Sequence, residues 1–219
     1  MSHEPTSPPP ARWVQAWPDA LAFVAGLALA WFGDWQTKDL VWSLWLSSLL
    51  VGYAMIVWDI FGAPLLTRKA AMTTIPVKVQ MVGGGLVLAG RLFMLAFFTV
   101  HFGGFHFVHA TFLNQFFPVL PGWPGFMNLH IFGQVLHDYW PFVLVAALAE
   151  RKAFRRNPDG LKDGGMMAPY KNVIRLHLLI FFFAFTSFVH LQNFAVYAVV
   201  YAVYFFPWRL VFPAKTSPA

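Results

Sequence analysis

The feature that most constrains this chain is a succession of long, uninterrupted apolar stretches, at residues 13–32, 40–61, 82–117, 129–149, 173–191 and 194–212. Wound as an α-helix at ~1.5 Å per residue, roughly 20 apolar residues cross the hydrocarbon core of a bilayer. Six such stretches predict an all-α polytopic membrane bundle of about six transmembrane helices. A membrane β-barrel would present short alternating segments, whereas runs such as HLLIFFFAFTSFV are continuous. Composition points the same way. Of 219 residues, 58% are hydrophobic and only 11% charged, against roughly 25% charged in soluble domains, so 25 Phe and 10 Trp have no aqueous surface to hide beneath.

The spans divide the chain into a disordered cytoplasmic tail at residues 1–12, a single transmembrane domain at 13–212 and a short tail at 213–219. MSHEPTSPPPA lacks the cationic start and the small-residue cleavage site of a signal peptide. The third stretch is too long for one upright span, and Gly83, Gly84 and Gly85 make poor first turns. The membrane helix is therefore expected to begin near Leu86 and end near Pro118, with residues 68–81 lying in the interface. A kink is expected at Pro207.

Positive residues set the orientation. Arg68, Lys69 and Lys78 fall between spans two and three, and Arg151, Lys152, Arg155, Arg156, Lys162, Lys171 and Arg175 lie around the connection of spans four and five. Those connections are cytoplasmic by the positive-inside rule, which puts both termini in the cytoplasm as well. The net charge of +6 is scattered over segment ends, where lipid headgroups account for it and nucleic acid does not. Trp13, Trp17, Trp31, Trp35, Trp42, Trp123 and Trp208 are expected in the interfacial belts.

With no cysteine in the chain, histidine carries any metal chemistry. The topology gathers six of the eight histidines in the outer leaflet: His101, His106 and His109 in HFGGFHFVH of span three, His130 and His137 in span four, and His190 at the end of span five. His177 stays near the cytoplasmic side. At about 100° per residue, His101, His106 and His109 share one broad face, as do His130 and His137. Counting ~1.5 Å per residue, His109 and His137 each lie about 12 Å inward from their helix ends, and helices joined by a short connection are expected to be neighbours. His106, His109 and His137 then face one volume, with His101 deeper and His130 and His190 nearer water.

Three or four neutral imidazoles in a low-dielectric pocket make a site for copper, iron or zinc. Asp138 is placed to complete the shell or to orient a ligand through a hydrogen bond, and Asn114, Gln115, Gln192 and Asn193 are further candidates near the outer surface. Asp59 and Arg91, at comparable depth, are expected to form an ion pair joining spans two and three. Tyr197, Tyr201 and Tyr204 recur at helical spacing, as a packing stripe or a relay. Gly103 and Gly104 free space beside His101 and His106 for a close helix or a planar ligand.

HFGGFHFVHATF (101–112) and APYKNVIRLHLLIFFF (168–183) resemble segments of a bacterial family of histidine-rich integral membrane proteins catalogued as a domain of unknown function. The resemblance covers the chain from about span three onward and implies a multi-pass protein of the bacterial inner membrane, without assigning catalytic residues. No HxxxH or HxxHH set of the membrane desaturases is present on the cytoplasmic side. The reading is a histidine-ligated transition-metal centre in the periplasmic-side half of the bundle, serving oxidation chemistry on a lipophilic substrate. Beside it stand a b-type haem electron-transfer protein, with two of these histidines as axial ligands, and a metal or proton transporter or accessory subunit without catalysis. The lipid bilayer is the partner, and a homo-oligomer or a larger membrane complex is compatible with the sequence.

Overall fold

The structure is a computed structural model, and it describes residues 12–62, 77–120, 122, 125–154, 174, 178, 179, 181–183, 185 and 194–206. All regular structure among them is helical: α1 (Arg12–Phe32), α2 (Thr37–Val57), α3 (Val77–Phe116), α4 (Leu129–Ala149) and α5 (Phe194–Phe205). A five-residue π-helical turn, Trp58–Gly62, extends α2, and a 3-10 turn, Arg151–Phe154, follows α4. Among the described residues, three segments are long and apolar enough to cross a membrane: Thr37–Gly62, Gly84–Phe116 and Leu129–Ala149. The expected fifth span lies largely outside the described residues, although Leu179 and Phe183 pack into the core. Pro207 and the tails also lie outside them, apart from Arg12, which opens α1.

Local chemistry fixes the helix ends. Asp34 adopts φ 51°, a left-handed turn that reverses the chain between α1 and α2. The Asp39 carboxylate then reaches back to accept from the Gln36 amide at 2.9 Å, neutralising an orphan donor where the positive end of the α2 dipole also favours an anion. At α4, the Asn128 side chain accepts from the Ile131 amide at 2.9 Å.

α3 departs from expectation. It is one continuous 40-residue helix from Val77, running straight through Gly83, Gly84 and Gly85 instead of starting near Leu86. Each glycine costs about 1 kcal/mol relative to alanine. Next to a bilayer that cost is tolerable, because abandoning the helix would strand backbone N–H and C=O groups with no water to receive them.

The helices do not pack in chain order. α2 occupies the middle and packs against α4, α3 and α5, while α1 packs chiefly on α4. α4 is thus inserted between α1 and α2, and α2 stands between α3 and α4, so the short connection between α3 and α4 does not make them the neighbours expected. Two close approaches allow this. A Cβ at Gly26 of α1 would sit 1.9 Å from the Tyr201 hydroxyl, and one at Gly52 of α2 would sit 2.6 Å from the Phe102 ring. Gly103 and Gly104, where a close helix was expected, face open space.

The main core gathers Leu40, Trp42, Trp45, Leu113, Phe142 and Tyr201, and a second cluster of Ile56, Ile60, Phe98 and Phe102 fills the α2–α3 seam toward the other end of α2. Trp42 is therefore not a belt residue. It is fully buried, and its indole donates to the Phe117 carbonyl at 2.8 Å, whereas Trp17 and Trp31 are exposed as a belt requires. Asp59 and Arg91 do not pair: the ion pairs among the described residues are Arg151–Asp19 at 2.5 Å, which ties the end of α4 to α1, and His137–Asp138. The packing order puts α1 against α4, so an acid on α1 meets the base that follows α4.

Candidate functional sites in the helical bundle

Two groups of histidines emerge, one inside the α2–α3 seam and one on the outside of α4. His106 of α3 is 1% exposed. Its Nδ1 lies 3.0 Å from the Phe102 carbonyl and its Nε2 3.1 Å from the Ser48 hydroxyl of α2. A carbonyl can only accept, so Nδ1 carries the ring proton and Nε2 accepts from Ser48. Nδ1 thus holds the ring against its own helix, and Nε2 joins α3 to α2. The Trp45 indole adds a second link between the two helices, donating to the His106 carbonyl at 2.9 Å. His109, also buried, lies edge to face with His106 at a ring separation of 6.4 Å.

The α4 site has the opposite character. His137 has a side chain 84% exposed, and its Nδ1 lies 3.0 Å from Oδ1 of Asp138. Gln134, one turn earlier, donates through Nε2 to both carboxylate oxygens of Asp138, at 2.9 and 3.0 Å. The carboxylate is held from one side by the amide and receives the Nδ1 proton from the other. This fixes the tautomer of the neutral ring and leaves the lone pair on Nε2, pointing off the helix. His130 is exposed on the same helix.

His106 and His109 are neighbours, but His137 does not join them, and among the described residues no three His, Asp or Glu side chains are placed to hold one metal ion. α2, lying between α3 and α4, is the physical reason. His101 is exposed on α3, stacked on Phe97 at 5.4 Å and edge-on to Phe105 at 5.1 Å. His190 and His177 lie outside the described residues, as do Gln192 and Asn193 and the side chains of Tyr197 and Tyr204. Tyr201 is a packing residue whose hydroxyl donates to the Ala22 carbonyl at 3.4 Å. Asn114 folds the connection after α3 back onto it, donating to the Gly125 carbonyl at 3.2 Å and accepting from the Val119 amide at 3.3 Å.

Sequence reasoning missed Ser48, Trp45 and Gln134, and the bond from the Tyr139 hydroxyl to Asp39 at 2.7 Å that pins α4 to the start of α2. A signal for the first existed. Ser43, Ser47, Ser48 and Gly52 are small or polar residues at near-helical spacing inside an apolar stretch, which marks a packed face in a membrane helix.

A family profile described as a family of unknown function (DUF6498) matches residues 6–206. The chain belongs to that family. The match spans the whole described bundle of this DUF6498 protein, from ahead of α1 to the end of α5, and so extends well upstream of the segments from span three onward that carry the resemblance in sequence. No curated protein and no solved structure matches it.

Proposed function

We propose that this DUF6498 protein is a six-span protein of the bacterial inner membrane, with both termini cytoplasmic, that binds a transition-metal ion in the periplasmic-side half of α4 through His137. One observation carries the reading: the His137 ring, clamped at Nδ1 by an Asp138 carboxylate that Gln134 itself holds, presents Nε2 outward. Metal-ligating histidines are oriented in this way by a carboxylate on the other ring nitrogen. The seam pair is a poorer ligand source, since both nitrogens of His106 already have partners, the Phe102 carbonyl of its own helix and the Ser48 hydroxyl of α2. Position supports function too. His137 is eight residues into α4, about 12 Å from its start, where ionisable groups are costly and usually functional. A ligand set on the outside of α4 faces the acyl chains, which is where oxidation chemistry on a lipophilic substrate would draw its substrate.

The test is elemental analysis with an optical spectrum on detergent-purified protein that has never met a nickel column. Copper, iron or zinc is expected at about one ion per chain, or one per two chains if copies share it, lost in His137→Ala, weakened by about 10- to 100-fold in Asp138→Asn, and retained in His106→Ala. A Soret band would replace this reading with b-type haem. Protein that stays metal-free after supplementation, or that keeps its metal in His137→Ala, would remove the site.

A further inference from the structure

We infer that the metal site on α4 is completed by a second copy of this chain, each copy contributing the Nε2 of its own His137. The inference rests on the metal-binding reading above and supplies the donors that reading lacks.

Among the described residues, one copy falls short. Asp138 is engaged in orienting the ring, its Oδ1 accepting from Gln134 and His137 and its Oδ2 from Gln134. His130 shares the face but lies seven residues away, about 10.5 Å along the axis. Two nitrogens bound to one ion at ~2.1 Å each stand within about 4 Å of one another. At the depth of His137 the described residues of one chain therefore offer one nitrogen, in keeping with the absence of any three-residue donor group among them.

The surface is suited to its own copy. Taking about 100° per residue, His130, Gly133, Gln134, His137 and Pro141 fall within an arc of about 100° on α4. His130, Gly133 and His137 are exposed, and a Cβ at Gly133 would meet nothing within 4 Å. A two-fold axis along the bilayer normal keeps both copies in the same orientation, so every residue near the axis meets its counterpart at its own depth. Gly133, one turn from His137, removes the side chain that would hold two α4 backbones apart. The pairing also takes an imidazole and a carboxylate off a lipid-facing surface, which acyl chains cannot solvate. The ion would then hold two imidazole nitrogens, one per copy, with its other positions left to water or substrate.

Because the chain contains no cysteine, a single introduced thiol reports on this contact without background. Gly133→Cys, oxidised in native membranes, is expected to give covalent dimers, and Val100→Cys, exposed on α3, is expected to give none above background. In parallel, native mass spectrometry of the full chain loaded with Zn²⁺ reads copy number and metal together. The expected species is two chains with zinc, reverting to one chain without zinc on chelation or in His137→Ala. That variant alters a side chain 84% exposed, so the helices keep their packing. One chain carrying zinc would overturn the shared site and leave metal binding at His137 standing. A dimer indifferent to chelation, or equal cross-linking at residues 133 and 100, would also overturn it. No zinc in any species would remove the metal reading and this inference together.

Discussion

α2 and α3 are both long, apolar helices, and by hydropathy alone either could be the centre of the molecule. They end in opposite situations: 67% of the most apolar stretch of α2 is buried, against 11% for α3. Hydrophobicity decides that a helix enters the membrane, but lipid is as apolar as leucine and cannot decide which helix lies inside. Small and hydrogen-bonding side chains decide it. α2 offers Ser43, Ser47, Ser48 and Gly52, which let neighbours approach, and Trp42 and Trp45, whose indoles find carbonyls on and just beyond α3. α3 offers a stripe of Phe98, Phe102, His106, Ala110 and Leu113, at spacings of three to four residues, continued by Phe117 just beyond its end. Leu88, Leu92, Phe93, Val100 and Val108 are left facing outward.

The largest contrast is expected at Trp45. This side chain is 2% exposed, packs against Phe132 and His106, and makes a cross-helix hydrogen bond. Trp45→Ala is expected to cost ~3–5 kcal/mol, the usual range for emptying an aromatic site in a packed core. Val100→Ala on α3, 77% exposed, is expected to move stability by less than about 0.5 kcal/mol. Unfolding in mixed micelles measures both. Equal losses would mean that the outward face of α3 is packed in the membrane and that the contrast between the two helices is false.

The sequence was most informative where a single physical rule acts on one segment. Span limits follow from apolar length, so α1 and α4 begin and end within a residue of the stretches read at 13–32 and 129–149. Arrangement in space was far less legible. A short connection between α3 and α4 argued that they touch, yet nothing in a linear stretch says that α2 will come between them. The expected meeting of His106, His109 and His137 failed for that reason, and the Asp59–Arg91 pair, placed by depth alone, is not formed. What was legible was local: a hydrogen bond between Asp138 and His137 could be read from the chain, because adjacent residues need no tertiary information.

A narrower version of the contrast sets glycine against glycine. Gly52 of α2 lies under the Phe102 ring, so Gly52→Ala forces that buried ring to move and is expected to destabilise by ~1–3 kcal/mol. Gly104 of α3 faces open space, and Gly104→Ala is expected to be neutral or to stabilise by up to about 1 kcal/mol through improved helix propensity. The two substitutions add the same methyl group and should differ in sign in a thermal shift assay. A loss at residue 104 matching that at 52 would show that something covers α3 in the membrane.

The smallest effect is expected at the polar contact itself. Ser48→Ala removes the hydroxyl that the Nε2 of His106 accepts from, while Nδ1 keeps the Phe102 carbonyl. Hydrogen bonds between membrane helices are worth about 0.6 kcal/mol on average and up to about 1.7, because a chain unfolded within the bilayer also finds partners. Ser48→Ala should cost an amount in that range and His106→Ala more, since the latter also empties packing volume against Phe102 and Trp45. If the bond is made, the double variant loses less than the sum of the two single ones. Strict additivity would show that Ser48 and His106 are merely adjacent, and that the seam is held by Trp45, Gly52 and the Phe102 ring alone.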